Sequence, residues 1–140
     1  MTKDAASVAY DVAGRAVDFT RKLYQCCEGV VDYSTGRDPW HDPAQEIIAI
    51  MYQWLYENGK ITLSSPFSAI CNLINSYMPY FFTLDMSECS ELTNVRYNNL
   101  RNAELRCLSN ERHRLTVLSN LRVVYDLTCA GELLGEDVNY

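Results

Sequence analysis

The sequence predicts an all-α fold, a compact single domain over residues 1–140 built from about five helices. Three observations predict it. Apolar residues recur three, four or seven apart through most of the chain, the spacing of one helix face. Start and stop signals bracket those stretches: Asp42-Pro43 and Ser65-Pro66 open segments, and Asn58-Gly59 and Pro79 close them. No alternation of apolar and polar residues lasts beyond a few positions, as a half-buried strand would need.

The first helix is expected near residues 5–28. Val8, Val12, Phe19, Leu23, Cys26 and Val30 line one face, while Asp4, Asp11 and Asp18 repeat at seven on a solvated one. Asp11–Arg15 and Asp18–Lys22 are i,i+4 pairs, each adding a few tenths of a kcal/mol. Gly14 is a weak point of about 1 kcal/mol against alanine. Residues 32–42 read as a loop from their Gly, Pro, Ser and Asp content.

The second helix, 43–58, starts with Asp42 as N-cap, Pro43 at the first helical position and Gln45 where a capping box places Glu or Gln. Its body, Ile47 to Tyr56, is apolar nearly all the way round. That pattern marks a helix central to the core, or one with a face on a partner. The third, 66–78, buries Phe67, Ile70, Cys71, Leu73, Ile74 and Tyr77; the aromatic run Tyr80-Phe81-Phe82-Thr83-Leu84 follows Pro79. Asp85 or Ser87 is eligible to cap a fourth helix, 86–108. Ser109-Asn110 offers caps for a break and a fifth helix, 110–130, the alternative being one continuous helix over 86–130; Gly131 and Gly135 punctuate the tail.

Composition narrows the class. Hydrophobic residues make up 48% and charged ones 21%, the profile of a globular protein and not a disordered one. A net charge of −6 argues against whole-surface attraction to nucleic acid or anionic lipid. No apolar run approaches the ~20 residues of a membrane span, and Met1–Ala5 lacks the apolar core of a secretory signal. An intracellular, cytoplasmic protein is the expectation. The six cysteines, Cys26, Cys27, Cys71, Cys89, Cys107 and Cys129, are scattered without a C-x-x-C pair. They read as reduced, structural thiols, with no metal and no cofactor expected.

Chemistry is sparse. His41 and His113 stand in no catalytic motif, and no phosphate loop, nucleophile elbow or metal-ligand helix occurs, so an enzyme is not expected. Six of the 12 basic residues are arginines between positions 96 and 122, where only Glu104 and Glu111 oppose them. That segment carries a local charge of +4. The alternative to a protein partner is therefore a nucleic-acid surface at Arg101, Arg106, Arg112 and Arg114, although on a continuous helix Arg101 and Arg112 align while Arg106, Arg114 and Arg122 point elsewhere. The stronger candidates are aromatic. Tyr52, Trp54, Tyr56, Phe81 and Phe82 crowd one stretch, and tyrosine and tryptophan suit half-wet interfaces. They form the expected contact zone for a partner helix in an apolar groove, and a second copy of the chain is a possible occupant.

Three short resemblances accompany this reading. Val17-Asp18-Phe19-Thr20-Arg21-Lys22-Leu23-Tyr24-Gln25 resembles the first helix of the Bcl family of apoptosis regulators, which includes viral members. The resemblance implies an all-α bundle that binds a partner helix in a groove and modulates apoptosis or signalling, in a host–virus setting for the viral members. Glu111 to Leu121 resembles a helical-repeat segment of subunit M of translation initiation factor three, which implies a scaffold role in a complex. Glu57-Asn58-Gly59-Lys60-Ile61-Thr62-Leu63 resembles the start of a winged-helix reading module.

Overall fold

The computed structural model describes residues 5–27, 43–107 and 111–135, with the side chains of 5–6, 104–107 and 111–119 left out. Five α-helices account for most of them: α1 (Ala5–Cys26), α2 (Pro43–Glu57), α3 (Phe67–Tyr77), α4 (Glu91–Cys107) and α5 (Glu111–Leu134). A 3-10 helix, Met78–Thr83, follows α3. Among the described residues there is no strand, so the fold is an all-α bundle.

α2 is the centre of it. Ten residues from Ala44 to Leu55 are buried, including Gln53, because the helix packs against α1, α3, α4 and α5 together. A helix apolar all round needs neighbours on every side, and this one has them. Its end follows from two residues. Gly59 adopts φ +71, which L side chains disfavour, and this turns the chain so that Lys60 N–H reaches Leu55 O (2.9 Å) and Gly59 N–H reaches Tyr56 O (3.0 Å). These two bonds satisfy carbonyls that the helix would otherwise leave open.

α1 lies antiparallel to α2. Its Thr20–Gln25 end meets Gln45–Ala49, and its Val8–Val12 end meets Tyr56 and Glu57. Val12, Ala16, Phe19 and Leu23 are buried along the inward face, and Asp11 and Asp18 are exposed as expected. Asp18 pairs with Arg21 at 3.5 Å instead of Lys22.

α3 and α5 are also antiparallel, tied by Asn72 Nδ2 to Glu132 Oε1 (2.5 Å) and Asn75 Nδ2 to Cys129 Sγ (2.9 Å). Gly131 makes their close approach possible: a Cβ there would stand 2.6 Å from Cys71 Sγ and 2.7 Å from Leu23 Cδ1. The glycine therefore serves packing and does not end the helix, which runs on to Leu134 instead of stopping near residue 130. Gly135 is the true end, its N–H on Gly131 O at 2.9 Å, and a Cβ there would collide with the Phe67 ring.

Two further boundaries differ from the sequence reading. α4 starts at Glu91, not 86, because Asp85 caps a turn through Ser87 N–H (2.9 Å) while Ser90 supplies the hydroxyl for Thr93 N–H (3.4 Å). The hydrogen bonds from Ser87 hold the Asp85 carboxyl below its usual range. Ser65 does not cap α3, where Pro66 is N-cap; its hydroxyl accepts from Thr62 N–H (2.8 Å). The Ser109-Asn110 position lies outside the described residues, which resume with Glu111 at the start of α5. Asp42, His41 and the whole 28–42 segment lie outside the described residues.

Candidate functional site

The aromatic contact zone read from the sequence is mostly core. Tyr52 is 0% exposed, Phe81 1% and Trp54 6%, so none of these offers a surface to a partner. The reason is topological: the helix that carries Tyr52 and Trp54 has four neighbours. Tyr52 packs on Phe19 with ring centres 5.4 Å apart, and Trp54 on Tyr77 at 5.0 Å. Trp54 Nε1–H donates to Asp85 O at 2.8 Å, which fastens the segment after the 3-10 helix to α2. Tyr97 of α4 holds the same segment, its hydroxyl donating to Phe81 O (2.5 Å) and accepting from Leu84 N–H (3.2 Å). Its ring meets Phe81 edge-on. Tyr56 and Phe82 keep partial exposure, and they stand on different elements.

The arginines divide in a similar way. Arg101 Nε–H donates to Phe82 O at 2.6 Å, so it clamps the aromatic connector. Arg96 is fixed by Glu46 Oε1 (2.9 and 3.1 Å) and by Gln53 Oε1 (2.8 Å). Arg122 pairs with Asp126 at 3.0 Å. The side chains of Arg106, Arg112, Arg114 and His113 lie outside the described residues. Of these, Arg96 alone links the basic segment to a carboxylate of another helix; Arg101 holds a backbone carbonyl and Arg122 pairs within α5.

The thiols do the same. Cys26, Cys27, Cys71, Cys89 and Cys129 are free. Burial pushes Cys27 up to about 12, and neighbouring Cys26 adds to the shift. Cys71 moves further in the same direction, again through burial. Both are neutral packing groups at physiological pH, not nucleophiles. Among the described residues no three His, Cys, Asp or Glu side chains converge where they could hold a metal ion. No described helix is long and apolar enough to cross a membrane.

Large apolar residues reach the surface on several elements, among them Tyr80, Val95 and Leu133, and two of them stand on the outer side of α1. Tyr10 is 67% exposed and Val17 46%, with partly exposed Tyr24 next in the series. These three are seven residues apart, so on a helix they drift only about 20° per step and form one line. Gly14 lies beside that line, with nothing within 4 Å of a Cβ built on it. The lower end of the line opens into a cavity of about 450 Å³ between α1 and α2. Val17, Tyr24 and Ala49 are its apolar wall; Arg21, Glu46 and Arg96 supply its charges. Arg96, held on Glu46 and Gln53, is the most rigidly placed of these.

The sequence signal for this line is the spacing of seven between Tyr10, Val17 and Tyr24, one position off the repeat of Asp4, Asp11 and Asp18. Comparison with protein-family models, with characterised proteins and with solved structures finds no match to this chain.

Proposed function

We propose that this chain is a non-enzymatic protein–protein interaction module that receives a partner helix along the outer side of α1 and in the adjoining α1–α2 groove. One observation carries the reading: the line of exposed Tyr10 and Val17 and half-buried Tyr24 on a helix whose opposite face is already committed to the core. An apolar series at intervals of seven is what a second helix packs against, and Tyr is favoured where one side of a contact stays wet. The space beside Gly14 lets a partner backbone come close between Tyr10 and Val17. Arg21 and Arg96, with Asp18 and Glu46 opposite them, would set the partner's register more than its affinity.

The test is affinity capture with the wild-type chain and with Val17→Asp, with and without nuclease. The reading expects proteins retained by the wild type in both conditions and lost with Val17→Asp, whose fold circular dichroism should show unchanged. Identical captured sets for the two chains would overturn it. Partners that vanish with nuclease would move the function to nucleic acid.

A further inference from the structure

The outer face of α1 has two rows. Ser7, Gly14 and Arg21 form one, and Tyr10, Val17 and Tyr24 the other, each at intervals of seven and the two offset by three residues. That is the spacing of the two seam positions of a helix pair. The rows differ in chemistry. One carries aromatic and apolar side chains; the other carries a hydroxyl, an open backbone position and a cation. A Cβ built at Gly14 meets nothing within 4 Å, so a side chain from another helix has room there. Arg21 meets Asp18 at 3.5 Å with both side chains more than half exposed (64% and 61%), a contact loose enough to be shared with another group. The rows complement each other and not themselves: a parallel copy would set Arg21 against Arg21 and leave the space at Gly14 unfilled. Reversal removes the conflict. When a second α1 lies antiparallel, with a two-fold axis at the level of residues 15–16, Val17 faces Gly14, Tyr10 faces Arg21 and Tyr24 faces Ser7, each contact occurring twice.

We propose that the partner helix of α1 is α1 of a second copy of this chain, packed antiparallel in this register. The inference rests on the reading of α1 as the partner surface and names its occupant. Three complementarities argue for it. The Val17 side chain of each copy enters the space over the other's Gly14, a large-against-small fit that lets the two backbones approach. The Arg21 guanidinium lies on the exposed Tyr10 ring of the other copy, a cation–π contact. Asp11, exposed and next to Tyr10 in the chain, brings a carboxylate to the same guanidinium. From Ser7 to Tyr24 the contact runs over about 26 Å of helix. A single helix pair of that length is a small interface, so the dimer is reversible and depends on concentration. Each copy carries a net charge of −6, so screening at physiological ionic strength favours association over low salt.

The experiment is sedimentation velocity of the full chain at physiological ionic strength, from low micromolar to near-millimolar concentration. The wild type should pass from monomer to dimer. Val17→Asp should raise the dissociation constant at least tenfold, and so should Gly14→Leu, whose side chain fills the space that Val17 needs. Circular dichroism should show helix content unchanged in both. Arg21→Glu and Asp11→Arg should each weaken the dimer as well. An equimolar mixture of these two should dimerise again, because position 21 of one copy meets position 11 of the other when the helices are antiparallel. A wild type that stays monomeric would overturn the second copy as occupant. The reading of α1 as a partner surface would survive that result if Val17→Asp still loses proteins in affinity capture, and would fall with it if the captured sets are identical. A dimer unaffected by Val17→Asp and Gly14→Leu would move self-association to another surface and overturn the proposal. Weakening in both charge variants with no recovery in their mixture would overturn the antiparallel register.

Discussion

Gly14 and Gly131 both sit inside helices, and the same substitution should act on them with opposite sign. An alanine methyl at Gly14 meets open space, so Gly14→Ala gains helix propensity and should stabilise the fold by about 0.5–1 kcal/mol. At Gly131 the methyl meets Cys71 Sγ and Leu23 Cδ1 in a packed core, so Gly131→Ala should destabilise by about 1–3 kcal/mol. Urea denaturation of the two variants checks both. Two tyrosines form a second pair. The Tyr97 hydroxyl joins Phe81 O and Leu84 N–H, and Tyr97→Phe should destabilise by about 1–2 kcal/mol. The buried Tyr52 hydroxyl has no partner among the described residues, so Tyr52→Phe should be neutral or stabilising in the same assay. The thiols set a pH limit. Cys27 and Cys89 are raised from the ordinary 9.0 to about 12, so their neutral forms favour the native state. That contribution is fully present below pH 9 and is lost as pH rises from 9 towards 12. Stability measured across this window should fall, and less steeply in Cys27→Ala, which cannot ionise there.

At the scale of the element, α2 organises the molecule. Trp54 is the joint between its C-terminal half and the connector after α3, through ring packing on Tyr77 and the bond to Asp85 O. Trp54→Ala should destabilise by about 3–5 kcal/mol, and chemical denaturation is the check. This helix was legible in the sequence because burial on all sides leaves a run with no polar face, and because Asn58-Gly59 marks a turn that only a positive φ completes. The other ends were less legible for physical reasons. Asp85, Ser87 and Ser90 are all competent N-caps, and only the fold assigns the first to a local turn and the last to α4. Gly131 has the chemistry of a helix stop, but the residues that demand it, Cys71 and Leu23, lie far away in sequence. The burial of Tyr52, Trp54 and Phe81 was not legible for a related reason. Tyrosine and tryptophan serve a core and an interface equally well, and the four neighbours of α2 decide between them.

For the whole molecule, the surface that the account assigns to a partner is the line Tyr10, Val17, Tyr24 on α1 with the groove it runs into. Of the arginines of the last third whose side chains are described, Arg96 and Arg101 are engaged with Glu46, Gln53 and Phe82 O, and Arg122 pairs with Asp126 on the surface. Partner binding along α1 should resist salt, because screening acts on exposed charges and not on apolar contact. The most direct measurement places the photoreactive residue benzoylphenylalanine at position 17 and, in a second chain, at Leu133, which is 82% exposed away from the groove. Irradiation in cell lysate should give a discrete crosslinked protein from position 17 and none from position 133. No adduct at position 17, or the same adducts from both positions, would contradict the assignment of α1 as the partner surface.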